Sequence, residues 1–387
     1  MLTSPVQCLA LAAGLLLATC AVSAAPAPVA LAKTKVVVCL GDSITDGQTY
    51  SLMVAQALRA AKKPVPLFIP AGLGGDTAGG MLARLDRDVL PFHPDLVILN
   101  CGINDSERVK TTDFAANVDA IAARLAKEHV RLLLLTLTRI RGWQYREANT
   151  GCLTEPMLAL DAANIILRRT AVKYDLPLAE VYKAMETAPA GVDLWAPDGC
   201  HLNFAGYQLM SRAILDALGC PDAAPPKSEA DYHLTPMPGI VRAWRVHPVE
   251  AKDGAMDEKR AAALTLDATW KAYALPETTP GTLGWWENQE RRRGFAMQLH
   301  DLVGPAGQYW SYAEVRRRRA GQMYVNTGGD LGQIYVNGVR VFNNEYTTGW
   351  HAGGHRIPVT LHRGVNRLLL VSGGRFFCSL TETPLWW

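Results

Sequence analysis

From Lys35 to about Gly219 the chain alternates short apolar runs with longer amphipathic ones, and few folds accept that pattern. The apolar runs are Val36–Leu40, Val65–Ile69, Leu96–Asn100, Leu132–Leu137 and a weaker one near Leu176–Val181. Each is five or six residues long with turn residues beside it, as expected of strands buried on both faces of a parallel sheet. Helical patterns begin at Tyr50, Thr112, Met157 and Phe204, with apolar residues recurring at three- and four-residue spacing. Gly219 stands where the last helix needs its C-cap. Such alternation predicts an α/β fold with a doubly wound parallel sheet. Ligands then bind at the carboxyl ends of the strands.

After Gly219 the texture changes. "CPDAAPPKSEAD", rich in Pro, Ala and charge, reads as an inter-domain linker over 221–232. From 233 to 387 the segments "GQMYVNTGGDLGQIYVNGVRVFNN" and "HRIPVTLHRGVNRLLLVSGG" alternate apolar and polar residues between Gly/Asn turns. These are antiparallel β signals, and they predict an all-β sandwich. "VNG" at Val336–Gly338 reads as a hairpin turn. Of the ten tryptophans, eight lie from Trp244 onward. Most are expected to fill the sandwich core or the domain interface, with Trp286, Trp310 and Trp350 as candidates for exposure. The 387 residues suit two or three domains, and no internal repeat stands out.

Residues 1–24 read as a removed export signal. An apolar run ends there in the small residues Val22-Ser23-Ala24, and no stop-transfer charges follow. The n-region lacks Lys and Arg. A lipoprotein reading through "LATC" at Cys20 meets a poor match in the Thr before the Cys. The expected location is secreted or periplasmic, with no transmembrane span. A formal net charge of +3 gives no reason to expect a nucleic-acid partner. The runs Arg291–Arg293 and Arg316–Arg319 could serve a polyanion, but "YAEVRRRRAGQMYV" also reads as a solvated strand entering a turn. Cys39 and Cys101 end apolar strands and read as small buried hydrophobes. Cys152 and Cys200 sit in loops and could pair. No Cys or His spacing calls for a metal, and no cofactor is expected.

Chemistry concentrates at the strand ends. "GDS" puts Ser43 at the carboxyl end of the first strand. "AGLGGDTAGG" (Ala71–Gly80) follows the second with a glycine density that frees backbone N–H groups. "NCGINDS" (Asn100–Ser106) follows the third and offers the Asn104 amide. "APDGCHLNFAGY" (Ala196–Tyr207) sets Asp198 three residues before His201, ahead of the last helix. A serine needs a base to become a nucleophile. His201 can take its proton, and Asp198 can hold the imidazole tautomer. The N–H groups of Ser43 and Gly75 with the Asn104 amide are candidate oxyanion donors. Asp42 and Asp46 are read as ties for the turn, and Asp76 and Asp105 as loop or cap residues.

The ordered blocks "GDS", "GGDT", "GIND" and "DGCH" resemble those of the SGNH hydrolases, the GDSL-type esterases and lipases, over about residues 35–220. The resemblance implies a flavodoxin-like five-stranded sheet, Ser43 as nucleophile, Asp198 and His201 as its partners, and Ser43, Gly75 and Asn104 lining the oxyanion hole. In "AGLGGD" a second Gly precedes Gly75, so Gly74 competes for that role. "YVNG" and "GVNRLLL" resemble the galactose-binding-like sandwiches attached to carbohydrate-active enzymes. Together these lead to an exported serine esterase acting on acyl groups, acetyl in the first place, of an acylated carbohydrate. The alternatives are a lipase, lysophospholipase or thioesterase of the same fold, and a catalytically idle glycan-binding protein.

Overall fold

The computed structural model describes residues 29, 31–141, 160–232, 239–274, 297–344 and 355–383. The expected export signal, Cys152, the run Arg291–Arg293, Trp286 and Trp350 lie outside these residues.

Five strands form one sheet: β1 (Val36–Gly41), β2 (Leu67–Gly72), β3 (Leu96–Asn100), β4 (Arg131–Leu135) and β5 (Leu178–Ala179). Their order is β2-β1-β3-β4-β5 and every pairing is parallel. The order reverses between β1 and β3, which opens a crevice at their carboxyl ends, where this topology binds ligands. Val37, Val38, Leu40, Ile98, Leu99, Leu133 and Leu134 are fully buried, as a sheet covered on both faces requires. The helix Thr111–Lys127 covers one face through Phe114, Val118, Ile121 and Leu125.

β2 begins later than its apolar run and continues through Pro70 to Gly72. It lies at the sheet edge with β1 as its one neighbour, so Pro70 can turn its missing donor outward. The last helix, Phe204–Ala217, ends in paired backbone bonds from Gly219 N to Asp216 O (3.0 Å) and from Cys220 N to Leu215 O (2.8 Å). Gly219 has φ +68°, the left-handed conformation this cap needs. The Pro/Ala-rich segment that follows lies against the same helix. Gln208 Nε2 donates to Pro226 O at 2.6 Å, and Tyr232 packs edge-on to Phe204.

The second sheet has eight antiparallel strands: β6 (Ala243–Pro248), β7 (Lys271–Ala274), β8 (Met297–Gln298), β9 (Tyr309–Arg317), β10 (Gly321–Val336), β11 (Val339–Asn343), β12 (His355–Leu361) and β13 (Gly364–Thr381). The first half of β10 pairs with β12 and the second half with β11, while β13 runs beside both. Register shifts around Leu331 mark the change of partner. Val325 and Leu361 of one half meet Ile334, Leu368 and Leu370 of the other in one core. The two halves of this sheet are thus joined through the long continuous strands β10 and β13. Asn337 (φ +53°) and Gly338 (φ +87°) form the turn between β10 and β11, both residues left-handed as a two-residue hairpin demands. β9 is buried from Tyr309 to Ala313, while Arg316 near its end and Arg318 and Arg319 after it are exposed.

Trp310 corrects an expectation. It is buried rather than exposed, with its ring stacked on His247 at 5.4 Å and near Trp270 at 6.4 Å. Its strand alternation alone left the face undecided, because Tyr309 beside it on the opposite face is buried as well. Trp244 and Trp270 are buried too.

Candidate active site

β1 ends in Gly41 because no side chain fits there. A Cβ would stand 2.1 Å from Thr45 Oγ1 and 2.9 Å from the Asn100 carbonyl oxygen. The chain turns at once into a single helical turn, Ser43–Asp46. Asp42 caps it, accepting from Ile44 N at 3.0 Å and from Asn100 Nδ2 at 3.2 Å. Ser43 is therefore the first helical residue, where a backbone N–H has no intrahelical acceptor. Gly72, at the end of β2, lies against this turn so closely that a Cβ would meet Asp46 N at 2.1 Å.

The glycine-rich loop after β2 holds Gly75 at φ +77°, and Arg108 Nη1 donates to its carbonyl at 3.0 Å. Gly74 is not among the positive-φ glycines. Asn104, after β3, donates its amide to Asp76 O at 3.0 Å. Among the described residues the backbone N–H groups of Ser43 and Gly75 donate no hydrogen bond.

The last loop brings its residues to the same place. Asp198 Oδ1 accepts from the N–H groups of Cys200 and His201, both at 3.0 Å. Its Oδ2 takes the His201 Nδ1 contact. His201 Nε2 lies 2.7 Å from Ser43 Oγ. Ser43, His201 and Asp198 thus form one hydrogen-bonded line across 158 positions of sequence. The loop is pinned from both sides. Arg141 N donates to Gly199 O at 2.7 Å, and Asn203 caps the last helix through Gly206 N. Gly199 sits at φ +70° with the Arg141 carbonyl where a Cβ would go.

The carboxylates differ by surroundings. Burial alone would raise Asp198, but the His201 hydrogen bond and the Cys200 N–H outweigh it and bring the carboxyl to about 2. It is an anion at any neutral pH. Asp42 is pushed up to about 7 by complete burial, against the Ile44 N–H that favours its charge. Asp105 rises to about 6 by burial, while both its oxygens accept from Ala78 N at the start of the helix Ala78–Ala83. Asp76 accepts from Thr77 N at 2.9 Å and from Arg84 Nε at 2.7 Å. Asp76 and Asp105 thus act as a loop tie and a cap.

Sequence reasoning passed over three residues here. Arg84 is buried behind the loops, Tyr207 OH donates to Ile44 O at 3.2 Å, and Trp195 Nε1 donates to Arg139 O at 2.7 Å at the rim. The i,i+4 spacing of Arg84 and Asp88 was legible, but spacing carries no sign of burial. Among the described residues no cluster of His, Cys, Asp or Glu is placed to hold a metal ion. No described helix is long and apolar enough to cross a membrane.

Residues 39–209 match the model of the GDSL-like Lipase/Acylhydrolase family. Solved structures similar to this chain include a lipase/acylhydrolase from Enterococcus faecalis, 23% identical, covering 50% of this chain and 100% of that one, with a TM-score of 0.43. An acetylxylan esterase from Geobacillus stearothermophilus is 19% identical and covers 48% of this chain and 94% of that one, with a TM-score of 0.42. A hydrolase from the metagenome of Lake Arreo, 24% identical, covers 50% and 97%, with a TM-score of 0.41. A comparison with curated proteins gives no match.

Proposed function

We propose that the protein is an exported serine esterase removing acetyl groups from an acylated carbohydrate, a reading that starts from the match of residues 39–209 to the GDSL-like Lipase/Acylhydrolase family model. The observation that carries the esterase chemistry is the 2.7 Å approach of His201 Nε2 to Ser43 Oγ, with Asp198 behind the ring. The export part rests on the character of residues 1–24. The carbohydrate part rests on the likeness of "YVNG" and "GVNRLLL" to sugar-module sandwiches.

In this reading Ser43 Oγ attacks the ester carbonyl carbon while its proton passes to His201 Nε2. The carbonyl π pair moves onto oxygen. The N–H groups of Ser43 and Gly75 and the Asn104 amide stabilise that oxyanion. The bond to the alcohol oxygen then breaks, and the alcohol leaves with the proton from His201. A water gives a proton back to His201 and attacks the acyl carbon. Ser43 departs with that proton and the carboxylic acid is released. Asp198, ionised throughout, holds the imidazole tautomer and stabilises the imidazolium.

Ser43→Ala tests the core of this. Hydrolysis of an aryl acetate is expected to fall by roughly 10⁴-fold or more, and a fluorophosphonate is expected to label the native protein at Ser43 alone. Retained hydrolysis in the variant removes Ser43 from the nucleophile role, and an unreactive native serine favours an idle binding protein. Acetate release across acetylated xylan, pectin, sialic acid and peptidoglycan tests the carbohydrate part. A preference for decanoate over acetate esters would replace it with the lipase alternative.

A further inference from the structure

Arg84 is 5% exposed and spends all three nitrogens on different parts of the site's support. Its Nη2 donates to Gly41 O at 3.0 Å, the carbonyl two residues before Ser43. Its Nε bonds Asp76 Oδ2 at 2.7 Å, beside Gly75, and its Nη1 bonds Asp88 Oδ2 at 3.2 Å. The planar guanidinium fixes the angle between these partners as a flexible ammonium could not. Asp88, 1% exposed, is also held by Arg87 Nε at 2.8 Å and Nη2 at 2.7 Å.

The second sheet reaches this same segment. Arg356 of β12 donates from Nη1 to Arg87 O at 3.3 Å, and its guanidinium lies 4.3 Å from the Phe92 ring centroid. Asp88 and Arg87 are the charges that act on it.

We propose that Arg84 is a positioning residue that holds the Ser43 turn against the Gly75 loop, and that Arg356 extends this brace into the antiparallel sheet. The sheet then acts on the reaction through the site's geometry, even for a substrate with no sugar. The proposal rests on the esterase reading of Ser43, and its test includes a readout independent of activity.

Arg84→Lys, checked for folding by circular dichroism, is expected to lower kcat on an aryl acetate by about 10²-fold while KM stays within about twofold. Arg356→Met leaves every inner partner of Arg84 in place. It is expected to lower kcat by roughly three- to tenfold at unchanged KM. Amide exchange by mass spectrometry is expected to quicken in peptides over 41–48 and 72–78 in both variants, with β4 unchanged. Arg356→Lys, which keeps the cation over Phe92, is expected to restore most of the loss. Wild-type kcat in a folded Arg84→Lys overturns the positioning role. A lowered melting temperature in Arg356→Met with kcat and exchange unchanged overturns the link to the second sheet. Should Arg84→Lys fail to fold, the exchange pattern of Arg356→Met decides. Should the wild type neither hydrolyse nor label, the esterase reading fails, and exchange alone still judges the brace.

Discussion

Tyr207 donates its hydroxyl to the Ile44 carbonyl at 3.2 Å, across 163 positions of sequence. Tyr207 lies in the first turn of the helix that follows His201, and Ile44 follows Ser43. This bond fixes the helix that follows His201 to the turn that carries Ser43. Both groups are buried, so the bond is shielded from water.

Tyr207→Phe removes that one oxygen and keeps the ring. The variant is expected to lose about 1 kcal/mol of stability. Its kcat on an aryl acetate is expected to fall several-fold with KM unchanged, because the Ser43–His201 distance is no longer held. Denaturant melts and steady-state kinetics check both, and wild-type kcat would show that the bond positions nothing.

Asp42 makes stability depend on pH in a direction unusual for a carboxylate. Burial raises it from 3.8 to about 7 in the folded protein. Between these values the folded chain holds a proton that the unfolded chain has released. Stability therefore falls as pH rises from about 4 through 7. Its Oδ2, which has no partner among the described residues, can carry that proton. Asp42→Asn keeps an oxygen for Ile44 N and is expected to flatten this slope, becoming more stable than wild type at pH 8. Urea unfolding of both proteins from pH 4 to 8 tests it, and parallel curves would refute it.

Gly72→Ala tests how tightly the second strand supports the turn. The new methyl would meet the backbone of Asp46 at 2.1–2.5 Å, and backbone cannot rotate away as a side chain can. The variant is expected to lose roughly 1–3 kcal/mol, and its reactivity towards a fluorophosphonate is expected to drop as Ser43 is displaced. Unchanged labelling together with unchanged melting would mean the turn has slack.

Trp310→Ala separates a core role from sugar stacking. Its ring is buried against His247, with Arg260 over its face at 4.7 Å. Truncation is expected to destabilise the second sheet by about 3–5 kcal/mol. Binding of glycan at a temperature where the variant stays folded is expected to be unaltered. Calorimetry against intact glycans checks this, and lost binding without lost stability would reverse it.

Much of the parallel sheet was legible because its signals are local. A run such as Leu96–Asn100 has five buried positions in a row, which allows few other structures. Gly219 announced its cap by a backbone preference that belongs to glycine itself. The ends of β2 were less legible, since Pro70 argues against a strand until the strand is known to lie at an edge. Trp310 shows the same limit in an antiparallel strand, where a face is buried or bare according to what folds over it.

The residue types and their order along the chain determined the strands, the helices and which side chains would stand at the sheet's carboxyl edge. Tertiary structure alone decided that His201 comes within 2.7 Å of Ser43, that Arg84 is sealed beneath the loops, and that Arg356 of the second sheet rests on Phe92. The reason is range. Backbone preferences and hydrophobic period act over a few residues, whereas a distance between residues 158 positions apart is set by the packing of every element between them.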